Sequence, residues 1–299
     1  MTTSPSSVAS TLANPFAPFD TALDTALHAN VAMALAEDVG SGDLTGLLVP
    51  QHEWVQARVL VRESAILCGA PWFDAVMSQL DPAIRLDWHY AEGDRMQADT
   101  TVCLIDAPAR ALLTGERCAL NFLQLLSGVA TATRRYVDVI AGTAAVILDT
   151  RKTMPGMRLA QKYAVRVGGG SNQRLALYDG ILIKENHIAA AGGIAPAMRQ
   201  AHAVKAGVSI QIEVETIGQL LEALSAGATS ILLDNFSLAL MREAVAISAG
   251  SALLEASGGV DLTTVRAIAE TGVDRISIGS LTKDIDATDY SLRIIGRSH

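Results

Sequence analysis

The chain has 299 residues, half of them apolar, 18% charged and 4% aromatic, and a formal charge of −8 from 23 basic and 31 acidic side chains. Such a length buries a core that needs neither a disulfide scaffold nor a metal staple, and the acidic balance argues against nucleic acid or anionic lipid as a partner. The three cysteines, Cys68, Cys103 and Cys118, show no C-x-x-C spacing, and no apolar run reaches the roughly 18 residues of a membrane helix, so a reducing, cytoplasmic setting is expected.

Met1 to Asp20, rich in Ser, Thr, Ala and Pro but without the basic start and apolar core of a secretory signal, reads as a disordered leader. From Thr21 to Leu35 apolar residues recur at helical spacing, and the helix stops at Glu37-Asp38-Val39-Gly40. Short β-type runs at Val55–Val61 and Thr101–Ile105 flank a helical stretch over Pro71–Leu80, the pattern of an α+β domain. A long helix is predicted from Gly115 to Ala141, with Leu120, Leu123, Leu126 and Val129 on one side. Six short apolar segments then alternate with Ala-rich helical ones: Ala145–Asp149, Gly180–Lys184, Ile210–Glu215, Ser230–Asp234, Leu253–Ala256 and Arg275–Ile278. This alternation predicts a parallel sheet. Each run ends in polar or charged residues, where α/β barrels carry their chemistry, and six strands rather than eight predict an open or irregular barrel.

Between Gly115 and Leu175 nine basic residues stand against three acidic ones. A local cation excess in an acidic chain suits a small polyanion, either phosphates or several carboxylates. Arg158, Lys162 and Arg166, four apart, read equally well as a solvated helix face. Arg117 falls in the first turn of the predicted helix, where the dipole disfavours a cation by about 0.3–1 kcal/mol, which favours an anion-binding role. Arg151 and Lys152 directly follow a strand end; they either face an anion or pair with Asp149 or a carboxylate of another strand. Lys184 either reaches the cleft or bridges to Glu213 or Glu215. Glu213, Glu215 and Asp234, at neighbouring strand ends, form a candidate Mg²⁺ site together with substrate phosphate oxygens. Gly168-Gly169-Gly170-Ser171-Asn172 reads as a plain loop or a phosphate cradle, and Ser257-Gly258-Gly259 as a cradle helped by a following helix. None of the six histidines has metal-ligand spacing, and no Ser-His-Asp or Cys-His pairing is readable.

Eight segments in order are more specific than any one of these signals: Gly115-Glu116-Arg117-Cys118-Ala119-Leu120-Asn121, Asp149-Thr150-Arg151-Lys152-Thr153, Gln161-Lys162-Tyr163-Ala164-Val165, Gly168-Gly169-Gly170, Ile183-Lys184-Glu185-Asn186-His187, Glu213-Val214-Glu215, Asp234-Asn235 and Ser257-Gly258-Gly259. Together they resemble the quinolinate phosphoribosyltransferase family, from about Glu37-Asp38 to Gly279. The resemblance implies an α/β protein with an N-terminal α/β sandwich domain and an incomplete, open α/β barrel of six to seven strands. The organisation expected from it is a leader at 1–20, the sandwich at 21–125 and the barrel at 126–284, with the tail at 285–299 returning to the sandwich. It implies transfer of phosphoribosyl from 5-phosphoribosyl 1-pyrophosphate to quinolinate with decarboxylation, giving nicotinate mononucleotide, pyrophosphate and CO₂ in NAD biosynthesis, with Mg²⁺ and no organic cofactor.

By the same resemblance the protein is a homodimer, open to higher assembly, in which Arg117 serves the partner's site. Thr150, Arg151, Lys152, Arg174 and Lys184 bind the carboxylates of quinolinate and the phosphates; Glu213 and Asp234 hold Mg²⁺ and the ribose; Ser257, Gly258, Gly279 and Ser280 bind the 5-phosphate. Lys152, Glu213 and Asp234 carry the catalysis. Two positions depart from the family pattern. Gln173 stands where an Asn-His-Arg triplet is frequent, and Lys283 where some members have His; Gln hydrogen-bonds but carries no charge. Competing readings are a relative of the same fold with another acceptor, a lyase using Lys184 as a Schiff-base amine, and a non-catalytic phosphate-binding module. Arg151, Lys152, Arg174 and Lys184 together favour an acceptor with two carboxylates.

Overall fold

A computed structural model describes residues 23–50 and 53–297; the expected leader at 1–20 lies outside them. The first half contains α1 (Leu23–Val39), β1 (Trp54–Val61), β2 (Ala65–Ile66), α2 (Ala70–Leu80), β3 (Arg85–Trp88), β4 (Arg95–Met96), β5 (Thr100–Pro108) and α3 (Ala109–Val139). β1 buries Val55, Ala57, Val59 and Val61 on one face, the period of two of a strand covered on one side. α1 buries Leu23, Leu27, Val31 and Leu35, one stripe of a helix.

The second half runs β6 (Val146–Leu148), α4 (Arg158–Val167), β7 (Gly180–Ile183), α5 (Glu185–Ala191), α6 (Ile194–Ala203), β8 (Ser209–Val214), α7 (Ile217–Ser225), β9 (Ser230–Asp234), α8 (Leu238–Ser248), β10 (Leu253–Ser257), α9 (Val265–Ala269), β11 (Arg275–Ser277), α10 (Ser280–Lys283) and β12 (Tyr290–Arg297). The six strands expected from the sequence form one parallel sheet in the order β6-β11-β10-β9-β8-β7. A parallel bridge from Ser171 to Leu148 adds the stub of a further strand beside β6. β12 leaves this sheet and joins the first one, antiparallel, in the order β12-β1-β5-β3.

α3 begins at Ala109, not at Gly115, because Ala109, Arg110, Ala111, Leu112 and Leu113 are strong helix formers and Pro108 sits at the boundary. Arg117 is therefore roughly two turns inside the helix rather than in its first turn, and the dipole argument for an anion there does not hold. The helix is continuous across residues 125 and 126 and packs against α1, α2 and α4.

Glu92 ties the two halves together. Its carboxylate accepts from the Gly69 and Ala70 N–H groups at the start of α2, at 2.8 and 2.7 Å, and from the Tyr163 hydroxyl on α4 at 3.0 Å. Tyr163 also stacks at a tilt on Trp72, with ring centroids 5.5 Å apart. Burial outweighs these donors and pushes the Glu92 carboxyl up to about 7. A folded-state pKa above the unfolded one means that the native state holds the extra proton, so this contribution to stability is full below about pH 4.5 and is lost as pH rises through about 7. Glu92→Gln is expected to remove that slope. Urea melts of both proteins between pH 5 and pH 8 should show wild type losing on the order of 2 kcal/mol more than the variant.

Candidate active site

Parallel strands end on one rim, and their register sets which side chains meet there. Ile183 pairs with Ile212, so the next residues, Lys184 and Glu213, are neighbours, and they form an ion pair at 3.0 Å. Asp234 pairs with Ser257. Leu148 pairs with Ser277, which brings Thr150 and Gly279 side by side two residues on. A Cβ on Gly279 would lie 3.1 Å from Lys152 Cδ and 3.6 Å from Thr150 Oγ1, so the Lys152 stem crosses this glycine.

The loop after β6 is held from several sides. Lys152 N–H donates to Thr150 Oγ1 at 3.0 Å, and its carbonyl accepts from Thr282 Oγ1 at 2.8 Å. Gln161, buried in α4, accepts from Met154 N–H at 2.8 Å and donates to the Thr282 carbonyl at 2.9 Å. Asn30 of α1 donates to the Gly156 carbonyl at 3.0 Å. The Lys152 head is exposed, but its backbone is fixed.

Arg151 is half-buried, and its Nε has no partner among the described residues. Arg174 donates to the Gly180 carbonyl at 2.9 Å. Its pKa is drawn down first by burial and then by the positive charge of Arg151. Two guanidinium groups within electrostatic reach of each other, one with an unsatisfied buried nitrogen, are prepared for an anion.

At Asp234 the chain turns through Asn235, whose φ of +55° is left-handed. Asn235 Nδ2 donates to Asp234 at 2.9 Å, and its N–H donates to the Ser257 carbonyl at 3.0 Å. Gly258, at φ +106°, lies against it: a Cβ there would fall 2.1 Å from Asn235 Oδ1. Ser280 opens α10 directly after Gly279, and Lys283 pairs with Asp284 at 3.1 Å on the surface.

Several expected roles are corrected. Lys162 is not on a solvated helix face; it is fully buried and bonded to Asp149, which therefore does not pair with Arg151 or Lys152. Gly168 and Gly170 are packing positions, not a phosphate cradle: a Cβ on Gly168 would meet the Ala130 carbonyl of α3 at 2.5 Å, and one on Gly170 would meet Thr133 at 2.9 Å. Glu215 falls beyond the end of β8 and is exposed, and among the described residues no three His, Cys, Asp or Glu groups could hold a metal ion. Two carboxylates remain, Glu213 and Asp234. The helix after Ser257-Gly258-Gly259 starts only at Val265 and has five residues, so its dipole does not reach that loop. Arg117 is exposed on α3 and, among the described residues, makes no hydrogen bond or ion pair with the rim.

A chain of amides inside the barrel has no counterpart in the sequence reading. Gln173 Nε2 donates to Gln211 at 2.7 Å, and Gln211 Nε2 donates to Glu255 at 2.8 Å. Gln211 lies two residues before Glu213 on the same strand face, a period-two signal that could have located it. Burial pushes the Glu255 carboxyl up. A cavity of about 840 Å³ reaches these groups from the amino ends of the strands, the end opposite Lys152, Lys184, Glu213 and Asp234; Arg174, whose guanidinium bonds the carbonyl of the first residue of β7, lines this cavity and does not join those four on the rim.

Comparison with known proteins places the chain in a family. The model of the family "Quinolinate phosphoribosyl transferase, C-terminal domain" matches residues 129–293, and that of its N-terminal domain matches 43–127. The chain belongs to the quinolinate phosphoribosyltransferase family. A solved nicotinate-nucleotide pyrophosphorylase from Francisella tularensis is similar at 43% identity with a TM-score of 0.89, covering 91% of this chain and 97% of that one. A protein from Bacillus subtilis (strain 168), named as a probable nicotinate-nucleotide pyrophosphorylase (carboxylating), is 40% identical over 259 residues, covering 86% of this chain and 90% of the relative. A quinolinate phosphoribosyltransferase (decarboxylating) of Nicotiana glauca is 36% identical over 285 residues, with 88% and 81% covered. Membership of this phosphoribosyltransferase family makes the Gly258 contact testable. Gly258→Ala is expected to lower phosphoribosyl-transfer kcat/KM by about tenfold or more, since it both strains a left-handed residue and displaces Asn235 beside Asp234. Gly259→Ala, with open space around its Cβ, should lose less in the same steady-state assay.

Proposed function

We propose that this chain transfers the phosphoribosyl group of 5-phosphoribosyl 1-pyrophosphate to quinolinate and decarboxylates the product, yielding nicotinate mononucleotide, pyrophosphate and CO₂ for NAD biosynthesis. The observation that carries this is the convergence of Lys152, Lys184, Glu213 and Asp234 on one rim, within a chain that the family's two domain models cover. Arg151, Lys152 and Lys184 suit an acceptor with two carboxylates, and an arginine fork suits both carboxylate and phosphate geometry; Arg174, which the family resemblance adds to them, bonds the Gly180 carbonyl here. Ser257, Gly258, Gly279 and Ser280 supply hydroxyls and backbone amides for a 5-phosphate.

In this reading the pyridine nitrogen attacks the anomeric carbon as pyrophosphate leaves. Positive charge develops on the sugar, and the Glu213 and Asp234 carboxylates favour it; negative charge develops on pyrophosphate, and Lys152 favours that. The bond to the ring then makes the nitrogen cationic. The adjacent carboxylate leaves as CO₂ because the electron pair it deposits at C2 sits beside that positive charge. Glu213 and Asp234 are hard oxygen donors of the kind Mg²⁺ prefers, each with one oxygen engaged by Lys184 or Asn235. Bound there with substrate oxygens, Mg²⁺ would neutralise the leaving diphosphate.

Assembly as a homodimer has two supports. Arg117 is exposed and, among the described residues, makes no hydrogen bond or ion pair with its own rim, and Leu44, Leu47 and Leu48 expose 82%, 66% and 83% of their surface, apolar area of the sort that subunit interfaces cover. No helix among the described residues is long and apolar enough to cross a membrane, and a cytoplasmic enzyme fits the free thiols of Cys68, Cys103 and Cys118.

Incubation with quinolinate, 5-phosphoribosyl 1-pyrophosphate and Mg²⁺ should release CO₂ and nicotinate mononucleotide in equal amounts; a product that keeps both carboxylates would refute the reaction. Chelation by EDTA should abolish turnover and added Mg²⁺ restore it, whereas undiminished turnover after chelation counts against Glu213 and Asp234 as metal ligands. Arg117→Ala and Lys152→Ala should each be nearly inactive, and mixing them should recover about a quarter of wild-type activity in randomly exchanged dimers if Arg117 works across the interface. Mixtures no more active than their parents would exclude a shared site.

A further inference from the structure

We infer that the buried Asp149–Lys162 pair is a positioning device that fixes the Arg151-Lys152 loop and the Gln173-Arg174 segment against each other, and so sets quinolinate affinity; the inference rests on the reaction proposed above. Asp149 is the last residue before Thr150, and its side chain and that of Lys162 are both fully buried. Asp149 Oδ1 accepts from Lys162 Nζ and from Gln173 N–H at 2.9 Å, while Oδ2 accepts from Asn172 Nδ2 at 2.7 Å. Lys162 Nζ also donates to the Gln173 carbonyl at 3.0 Å, and the Lys162 carbonyl accepts from Asn172 Nδ2 at 2.9 Å. Gln173 is thus gripped at its N–H by the acid and at its carbonyl by the base.

The position of this network explains why it is needed. The backbone ladder between β6 and the neighbouring segment runs from Ser171 N–H to the Ile147 carbonyl at 2.8 Å and ends with Asp149 N–H to the Ser171 carbonyl at 3.3 Å. Beyond that point, toward the rim, side chains replace the ladder. The segments continue into Arg151 on one side and Arg174 on the other, like charges that act on each other even though the Arg174 guanidinium turns to the Gly180 carbonyl. An uncharged amide at 149 could offer only one acceptor atom to three donors, so a carboxylate is required, and a buried carboxylate in turn requires Lys162. Ser257, Gly258, Gly279 and Ser280, proposed above for the 5-phosphate, make no hydrogen bond with Asp149, Lys162, Asn172 or Gln173, and the loop meets them only where the Lys152 stem crosses Gly279.

The test compares wild type with Asp149→Asn/Lys162→Gln, a double variant that leaves no unpaired buried charge. The apparent KM for quinolinate should rise by about tenfold or more while that for 5-phosphoribosyl 1-pyrophosphate changes by less than about twofold. Equal changes in both KM values, or a lower active fraction with both KM values unchanged, would reduce the pair to a structural role and overturn the inference. If the double variant does not fold, Asn172→Ala removes one strut and keeps the charge pair; it should show the same selective rise at about threefold, and wild-type constants would overturn the inference. Wild-type protein that releases no CO₂ from quinolinate overturns the reaction and the inference with it; active wild type with unselective variants overturns the inference alone.

Discussion

Every strand of the second sheet points the same way, and that single constraint organises the chemistry. In a parallel sheet the residue that follows the last apolar pair of each strand must emerge at the same end, so sequence positions as distant as 150 and 279 become neighbours without any loop reaching for them. The strands themselves are short, three to six residues, which keeps the polar ends close to the apolar layer beneath them. Low dielectric below and water above is where a carboxylate and an ammonium such as Glu213 and Lys184 can each keep a charge and remain available.

Collecting charge in this way creates a problem of its own. Arg151 and Arg174 repel, and the sheet's backbone ladder has run out before it reaches them. A fully buried ion pair is a poor source of stability in general, because the two desolvation penalties offset most of the attraction, but removing one partner strands a charge at about 3–5 kcal/mol. Asp149 and Lys162 use that asymmetry: the pair adds little net stability, yet it makes any other arrangement of the two segments expensive. Glu92 at the junction of the halves shows the opposite balance, a carboxyl that burial lifts to about 7 although three donors point at it.

Much of the sheet is legible in the sequence because each strand is an apolar run that stops at a charge, as in Ile183-Lys184 or Leu233-Asp234, and that local contrast is the same in one dimension as in three. Arg117 shows the limit. The start of a helix depends on weak propensities over residues 109–114, so an argument built on its first turn inherits that weakness. Lys162 shows a different limit. Residues four apart look the same whether the face they share meets water or a buried acid, and only the approach of Asp149, thirteen residues earlier on another element, distinguishes them. The triple glycine of 168–170 is similar: small size is visible in the letters, but whether it admits a phosphate or a neighbouring helix is decided by α3. Gln173 looks like a lost charge in the sequence, whereas in the fold its amide links Arg174 to Gln211 inside the barrel.

The strand at Tyr290–Arg297 lies beside Trp54–Val61, a pairing that spans most of the chain. During synthesis the amino-terminal sheet is therefore unfinished while the whole barrel is being made, and one edge of β1 stays open with its N–H and carbonyl groups unpaired. The run from β7 to β11, in which each strand pairs with the next in sequence, can assemble before β12 exists, and β6 joins it through β11. The order of maturation is then inverted relative to the order of translation: the half that emerges first is the last to be sealed, and a nascent chain stalled before residue 290 presents a sticky strand edge to chaperones and to other copies of itself.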